Sequence, residues 1–421
     1  MSAISHIQAR EVLDSRGQPT VEAEVRTSDG AHGRAIVPSG ASTGAFEAHE
    51  LRDHDPQRFD GRGVRRAITH VNEIIAPALV GLDAADQRQV DAVLLALDPS
   101  PGKEQLGANA VLAASIAVAH AGAAARGTPL FVHLNKLLRA VLPAAPAPRM
   151  PIPMINMISG GLHAGGNLDF QDVLIIPRGA ADIATQLEWS VRIYRRLGRL
   201  LAEAGYEGRL VGDEGGYGPR LTSNREAIDF VVRAIEAAGL KPDDQVGIAL
   251  DVASTHFFDG THYRLSRTGE QLTSKQMVDM LEKLAADFPI ESIEDGIAEE
   301  DWAGWQLLTR RLGKNLRLVG DDLFTTNARR LARGIELGAA NSVLVKVNQI
   351  GTLTETFETI KLARQHGYAY VVSARSGETE DHTIADLAVA TAAEHIKIGS
   401  IVRSERLAKY NQLLRIAEQL A

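Results

Sequence analysis

The sequence predicts an α/β protein: a (β/α)8 barrel over residues 150–421, preceded by an α+β domain over residues 1–140. Three observations carry the prediction. The stretches Ile248–Asp251, Ser292–Asp295, Leu318–Asp322, Val343–Gln349, Tyr370–Arg375 and Ile396–Gly399 share one grammar. Each begins apolar, ends in charged or small residues, and is followed by helix-like sequence. Glu294, Asp321, Lys346, Ala374 and Lys397 recur at roughly 22 to 29 residues, the length of one strand–helix unit. Charged residues at the ends of successive strands, feeding one site, describe the top of such a barrel.

Taken in order, residues 4–37 predict antiparallel strands. Val21–Val25 alternates with period two, and Asp29-Gly30 marks a hairpin turn. Ser39-Gly40-Ala41-Ser42-Thr43-Gly44 is a string of small residues suited to a mobile loop, and no Gly-Lys-Ser/Thr ends it as a Walker loop requires. Helical periodicity follows over Val64–Val80, Ala84–Leu97 and Ala108–Arg126. The Pro-rich connector Leu142–Pro151 marks the domain boundary. Beyond it come strands Pro153–Ile158 and Val173–Ile176, then helices Ile183–Ala204 and Arg225–Ala238. Strand–helix alternation continues to a last helix, Arg406–Leu420, with a hairpin insertion at Phe258–Thr261.

A chain of 421 residues, 45% hydrophobic and 23% charged, holds a large core and more than one domain. The net charge of −8 is dispersed, and no basic stripe points to nucleic acid or a membrane surface. The absence of cysteine excludes disulfides, thiolate metal sites and thiol catalysis. Met1–Arg10 lacks the apolar core of a signal peptide. Ala110–Ala125, Ala-rich and containing His120, reads as a buried helix rather than a span. The expected location is the cytoplasm.

Asp251, Glu294 and Asp321 end three consecutive predicted barrel strands. Three carboxylates converging there need a counter-charge, and a divalent cation with oxygen ligands, usually Mg²⁺, supplies it. The alternative for each is a helix cap or an Arg partner. Lys346 and Lys397 also lie at strand ends. A partly desolvated lysine near a metal and another cation has a depressed pKa and can serve as a base, whereas its bland role is an ion pair. A lysine facing a carboxylate-bound metal suits removal of a proton α to a carboxylate. Glu214, in Gly212-Asp213-Glu214-Gly215-Gly216, suits a general acid on the opposite face, or else is an exposed acidic turn. His163 lies in a second glycine-rich loop, Ser159–Gly166. Arg375-Ser376-Gly377 offers a guanidinium, a hydroxyl and backbone N–H groups to a phosphate.

Together these motifs resemble the enolase family. The likeness rests on Asp14–Glu22, Pro38–Gly44, Gly212–Tyr217, Ser292–Asp295, Gly320–Leu323, Lys346–Thr356 and Arg375–Asp381, in order along nearly the whole chain. It implies an N-terminal α+β lid, a ββαα(βα)6 barrel, a cytoplasmic homodimer or higher oligomer, and two Mg²⁺ ions. By the same resemblance Asp251, Glu294 and Asp321 hold the first ion. Ser39, with substrate oxygens, helps hold the second. Lys346 is the base at C2, Glu214 the acid at the C3 hydroxyl, and Lys397 a carboxylate clamp. Arg375 and Ser376 bind the phosphate, and the implied reaction is loss of water from 2-phosphoglycerate.

The chain departs from the family pattern around the leaving group and phosphate. Gln171-Asp172-Val173 stands where the family has Gln-Glu-Phe, so the acid-side carboxylate is one bond shorter, and a misplacement of ~1 Å can cost ~100-fold. Ser373-Ala374-Arg375-Ser376 replaces Ser-His-Arg-Ser, removing a donor by the phosphate and opening space. Leu162 takes a place often polar. These changes leave two substrates open: 2-phosphoglycerate itself, or an analogue with a larger acid on O2. A phosphonoformyl ester is one, as in carboxyphosphonoenolpyruvate formation by enolase-like enzymes of phosphinate antibiotic pathways. A non-catalytic scaffold is the alternative of a different class.

Overall fold

The computed structural model describes residues 2–41 and 44–420; Ser42 and Thr43 of the small-residue loop lie outside the described residues. Strands β1 (Ile4–Leu13), β2 (Pro19–Thr27) and β3 (His32–Ile36) form an antiparallel sheet in that order. Val21, Ala23 and Val25, one face of β2, are fully buried. Helix Ala108–Ala125 covers β2 and β3. A side chain at Gly33 would meet the Ala117 carbonyl oxygen at 2.1 Å, so helix and strand reach this separation only with glycine there. This apolar helix is long enough to cross a membrane, yet 83% of it is buried within the protein.

The helix expected over Val64–Val80 is broken into Arg65–His70, a wider π-helical turn at Val71–Ile75, and Ala76–Leu79. Pro77 has no N–H to give to the turn before it, and the helical ladder changes pitch there.

The rest of the chain closes an eight-stranded barrel. Its strands are β4 (Ile152–Ser159), β5 (Asp172–Ile176), β6 (Gly247–Asp251), β7 (Ile290–Glu294), β8 (Arg317–Gly320), β9 (Ser342–Val345), β10 (Ala369–Ser373) and β11 (His395–Gly399). Helices Ile183–Glu203 and Asn224–Ala237 follow β5, and one helix closes each later unit, ending with Ser404–Leu420. This is the ββαα(βα)6 order. Strand β5 runs antiparallel to β4 and β6, while the other barrel pairs are parallel. The hairpin insertion is present: Phe258 bridges Tyr263, and Tyr263–Arg264 pairs with Gln271–Leu272.

Strand period two sorts the barrel residues. Met154, Leu174, Ile176, Ala249, Val319, Leu344 and Val371 form one small buried cluster, the barrel interior. Their neighbours Val173, Leu250, Leu318, Val345 and Val372 pack in the larger cluster toward the helices. Steps of two along the interior positions lead to Asp172, Asp251, Asp321 and Lys346. The site is therefore the upward continuation of the core, with charge replacing hydrocarbon at the strand ends.

The two halves are joined by buried polar contacts. Asp91 accepts from the Thr354 N–H (2.9 Å) and hydroxyl (2.6 Å), capping helix Leu353–Gln365 from the other domain. Lys103 Nζ lies 3.0 Å from Glu355. Ser39 and Gly377 exchange backbone hydrogen bonds of 2.9 and 2.8 Å.

Candidate active site

Two lysines divide the three strand-end carboxylates between them. Lys397 Nζ donates to Asp251 (2.6 Å) and to both oxygens of Glu294 (2.8 and 2.9 Å). Lys346 Nζ lies 2.5 Å from Asp321 Oδ2, and Gln349 Nε2 donates to Asp321 Oδ1 at 2.8 Å. All five charged side chains are buried. Burial first, and then the charge of Asp251, holds Glu294 well above the usual carboxylate range. Burial works against ionisation of Asp251 too, but Lys397 outweighs it and lowers that pKa. Lys346 departs from expectation. Burial pulls its pKa down, yet the Asp321 carboxylate prevails and the net direction is upward. Lys397 is raised well above its ordinary value, with Asp251 and Glu294 overcoming burial. Each amine is raised by the anion within bonding distance, whereas the depressed pKa expected from the sequence belongs to a site with a divalent ion in place.

The acid side is a second buried group. His163 Nδ1 is 2.9 Å from Asp172 Oδ2, and its Nε2 is 3.9 Å from Glu214 Oε1. Asn156 Nδ2 donates to Asp172 and, at 3.0 Å, to the Ser159 hydroxyl. Burial opposes the imidazolium, but Asp172 and Glu214 together raise His163 to about 9. Glu214 is not an exposed turn: it is 5% exposed. Burial pushes its pKa up, and His163, Arg406 and both lysines bring it below the ordinary value. The two carboxylates thus favour the protonated imidazole, while burial also pushes Asp172 above its ordinary value. Gly215, at φ +91° and packed on Val402, lets the chain turn tightly enough to present Glu214 inward. The shorter Asp172 still reaches His163.

Arg375 and Ser376, the residues expected to bind a phosphate, are contacted by the segment after β3. Arg375 forms a two-pronged ion pair with Glu47 (2.9 and 3.1 Å) and donates to Asn348 at 2.9 Å. The Ser376 hydroxyl accepts from Ala41 N–H at 2.6 Å. Ser39 is 2% exposed. Its hydroxyl donates to Glu50 and accepts from Arg52, both at 3.0 Å, and its carbonyl accepts from Gly377 and Arg16. Both oxygens of Ser39 are thus committed to partners within the protein. Gln171 donates to Asp251 at 3.1 Å, and its own carbonyl oxygen is buried without a partner. Ala374 joins the apolar cluster toward the helices, and its N–H donates to the Lys397 carbonyl (2.8 Å).

Sequence reasoning missed Glu47, Asn156, Asp295 and Arg406. Asp295 accepts from the N–H groups of Asp321 and Asp322 (2.9 and 2.8 Å) and so shapes the turn that aims Asp321. Arg406, fully buried, donates to the carbonyls of Arg375 (2.6 Å), Ser376 (2.5 Å) and Ile398 (3.0 Å), and stands 3.9 Å from Glu214. It links the acid to the anion loop. The only signal for it was an arginine at the start of an amphipathic helix, where a solvated residue is the ordinary expectation.

The donor chemistry suits Mg²⁺. Asp251, Glu294 and Asp321 are oxygen-only, hard ligands on adjacent strands, and the upward push on Glu294 is the electrostatic demand that a divalent cation meets. Two tighter trios, with ligand atoms within 4.8 Å of one another, also occur among the described residues: His163, Asp172 and Glu214, and Asp295, Asp321 and Asp322.

Comparison with known families gives two matches. Residues 4–134 match the enolase N-terminal domain, and residues 147–421 match the enolase C-terminal TIM barrel domain.

Proposed function

Since the chain belongs to the enolase family, a family of Mg²⁺-dependent lyases, we propose that it removes water from 2-phosphoglycerate. The reaction takes the proton α to the carboxylate and expels the β-hydroxyl. One observation carries the proposal: a buried amine beside strand-end carboxylates on one side, and a buried imidazole between two carboxylates on the other. Mg²⁺, when held by Asp251, Glu294 and Asp321, supplies positive charge at the substrate carboxylate.

Lys346 is the base. Its Nζ, 2.5 Å from Asp321, would accept the C2 proton after a cation on Asp321 had relieved that ion pair and the ammonium had lost its own proton to solvent. On the other side, Glu214 relays to the departing hydroxyl at C3 a proton that starts on His163. Asp172 keeps the imidazole oriented through the 2.9 Å contact. The proton lost from carbon stays on Lys346, and the one given to oxygen leaves as water. Lys397 holds the substrate carboxylate beside Asp251 and Glu294. Arg375 and Ser376 take the phosphate.

A second substrate, an analogue with a larger acid such as phosphonoformyl on O2, is favoured by Ala374, which puts no hydrogen-bonding side chain at the position before Arg375. Product absorbance with each substrate and Mg²⁺ decides between them, in the parent and in Asp172→Glu/Ala374→His. Efficient turnover of 2-phosphoglycerate by the parent supports the first. Turnover of the analogue alone, with 2-phosphoglycerate activity appearing in the double variant, supports the second. Turnover of neither, with no Mg²⁺ binding, would sink both and favour a scaffold.

A further inference from the structure

The groups assigned to the substrate phosphate, Arg375 and Ser376, are both already engaged by the segment that follows β3. Glu47 presents its two carboxylate oxygens to the two terminal nitrogens of Arg375, the fork-to-fork geometry that an arginine also offers a phosphate. Ala41 N–H occupies the Ser376 hydroxyl. Glu47 is held in place by more than that pair. Its Oε1 accepts from Gly44 N–H at 3.0 Å and from Gln349 at 3.3 Å. The neighbouring residues anchor the segment to the barrel: Ala45 N–H donates to Glu299 (3.2 Å), and Phe46 packs under the Arg330 guanidinium at 3.7 Å. Ala48 N–H donates to the Gln349 carbonyl at 2.8 Å. The side chains of Glu47 and Arg375 are 8% and 2% exposed. Beside them lies a cavity of about 260 Å³, lined also by Asn348, Asn109 and His49.

We propose that Glu47 is an internal competitor: its carboxylate occupies the anion position on Arg375, and a substrate phosphate binds only by displacing it. This rests on Arg375 being the phosphate residue, as proposed above. The physical consequence is a uniform weakening of every anion that uses Arg375. Each must break a desolvated, two-pronged charge pair before making its own. Displacement frees the carboxylate while Phe46 and Ala45 still tether its neighbours, so the exchange is local and reversible.

The test is calorimetric titration of inorganic phosphate into the metal-free full-length protein. Parent, Glu47→Gln, Glu47→Ala and Arg375→Gln are compared, with a thermal melt of each to confirm folding. Both Glu47 variants should bind phosphate at least about tenfold more tightly than the parent, the least that such a buried charge pair is worth. Equal or weaker binding by the folded Glu47 variants overturns the proposal, because Glu47 would then be orienting Arg375 rather than competing for it. Phe46→Ala gives an independent route that leaves the ion pair untouched. By loosening the segment it should tighten phosphate binding, and no change there counts against the proposal. Arg375→Gln separates the two levels: if it binds phosphate as the parent does, the phosphate assignment itself fails, whatever Glu47 does.

Discussion

Replacing Lys397 with methionine keeps most of the length of the side chain and removes its charge. The ammonium is the one hydrogen-bonding cation on Asp251 and Glu294 among the described residues, at 2.6 to 2.9 Å. Both carboxylates are 2% exposed, so neither gains water when it is lost. Two buried anions side by side would escape by taking up protons. Glu294 is already held well above its usual range, so the new cost falls on Asp251, which Lys397 now keeps below its usual range against burial. Protonating an aspartic acid of unfolded pKa ~3.9 at pH 7 costs ~4 kcal/mol, and that is the expected loss of stability. It lies within the ~3–5 kcal/mol typical of breaking a buried pair. The sign follows from linkage. In the parent, the lowered folded pKa of Asp251 contributes stability above pH ~3.9 that disappears as pH falls through the folded value. In the variant the folded pKa is raised, so its deficit opens as pH rises above ~3.9. Urea unfolding of the metal-free proteins at pH 8 and pH 4.5 measures this directly. The gap should be several kcal/mol at pH 8 and should shrink markedly at pH 4.5. A variant as stable as the parent at pH 8, or a gap that widens toward acid, would refute the assignment of Lys397 as the counter-charge.

Other outcomes are expected elsewhere. Arg406→Met removes three hydrogen bonds to the carbonyls behind the anion loop; kcat should fall ~100-fold through misplacement, and Arg406→Lys should not rescue it, because an ammonium lacks the planar fork. Steady-state kinetics with a melting control checks this. Asp172→Asn keeps the shape beside His163 but removes the charge that, after burial, most affects it. The imidazole should then titrate well below about 9 by NMR, and kcat should fall. His395 is buried at the start of β11, and burial with Arg317 lowers its pKa to about 3. A histidine depressed in the folded state weakens folding as pH drops below ~6.5, by ~1.4 kcal/mol per unit until the folded pKa is reached. His395→Gln should therefore lose less stability than the parent between pH 6.5 and 4.5, measured by urea midpoints.

Much of this arrangement was legible in the chain because barrel strands carry a local signature. Apolar runs that end in Asp251, Glu294, Asp321 and Lys346 announce both strand and direction, and period two then sends those side chains inward with Leu344 and Val319. The two strands before the first long helix were legible for the same reason. What sequence could not supply was charge state. Whether Lys346 is lowered or raised depends on whether burial or Asp321 wins, and that is decided by a 2.5 Å contact between residues 25 apart. Against burial, Glu214 likewise is held below its ordinary value first by His163 and then by Arg406, almost two hundred residues away and 3.9 Å from it. Periodicity alone reads Val64–Val80 as one helix, and the change of pitch at Val71–Ile75, just before Pro77, is not written in it. Glu47 was hidden for another reason: its partner, Arg375, comes from the other domain.

Deuterium exchange at C2 is the most direct probe of the chemistry, because it isolates proton removal from water loss. With 2-phosphoglycerate, or its phosphonoformyl analogue, and Mg²⁺ in D₂O, the parent should wash deuterium into C2. Glu214→Gln should retain that exchange while forming little product, and Lys346→Ala should show none. Exchange that persists without the lysine amine would mean that another group takes the proton, and the assignment of the two faces of this site would be wrong.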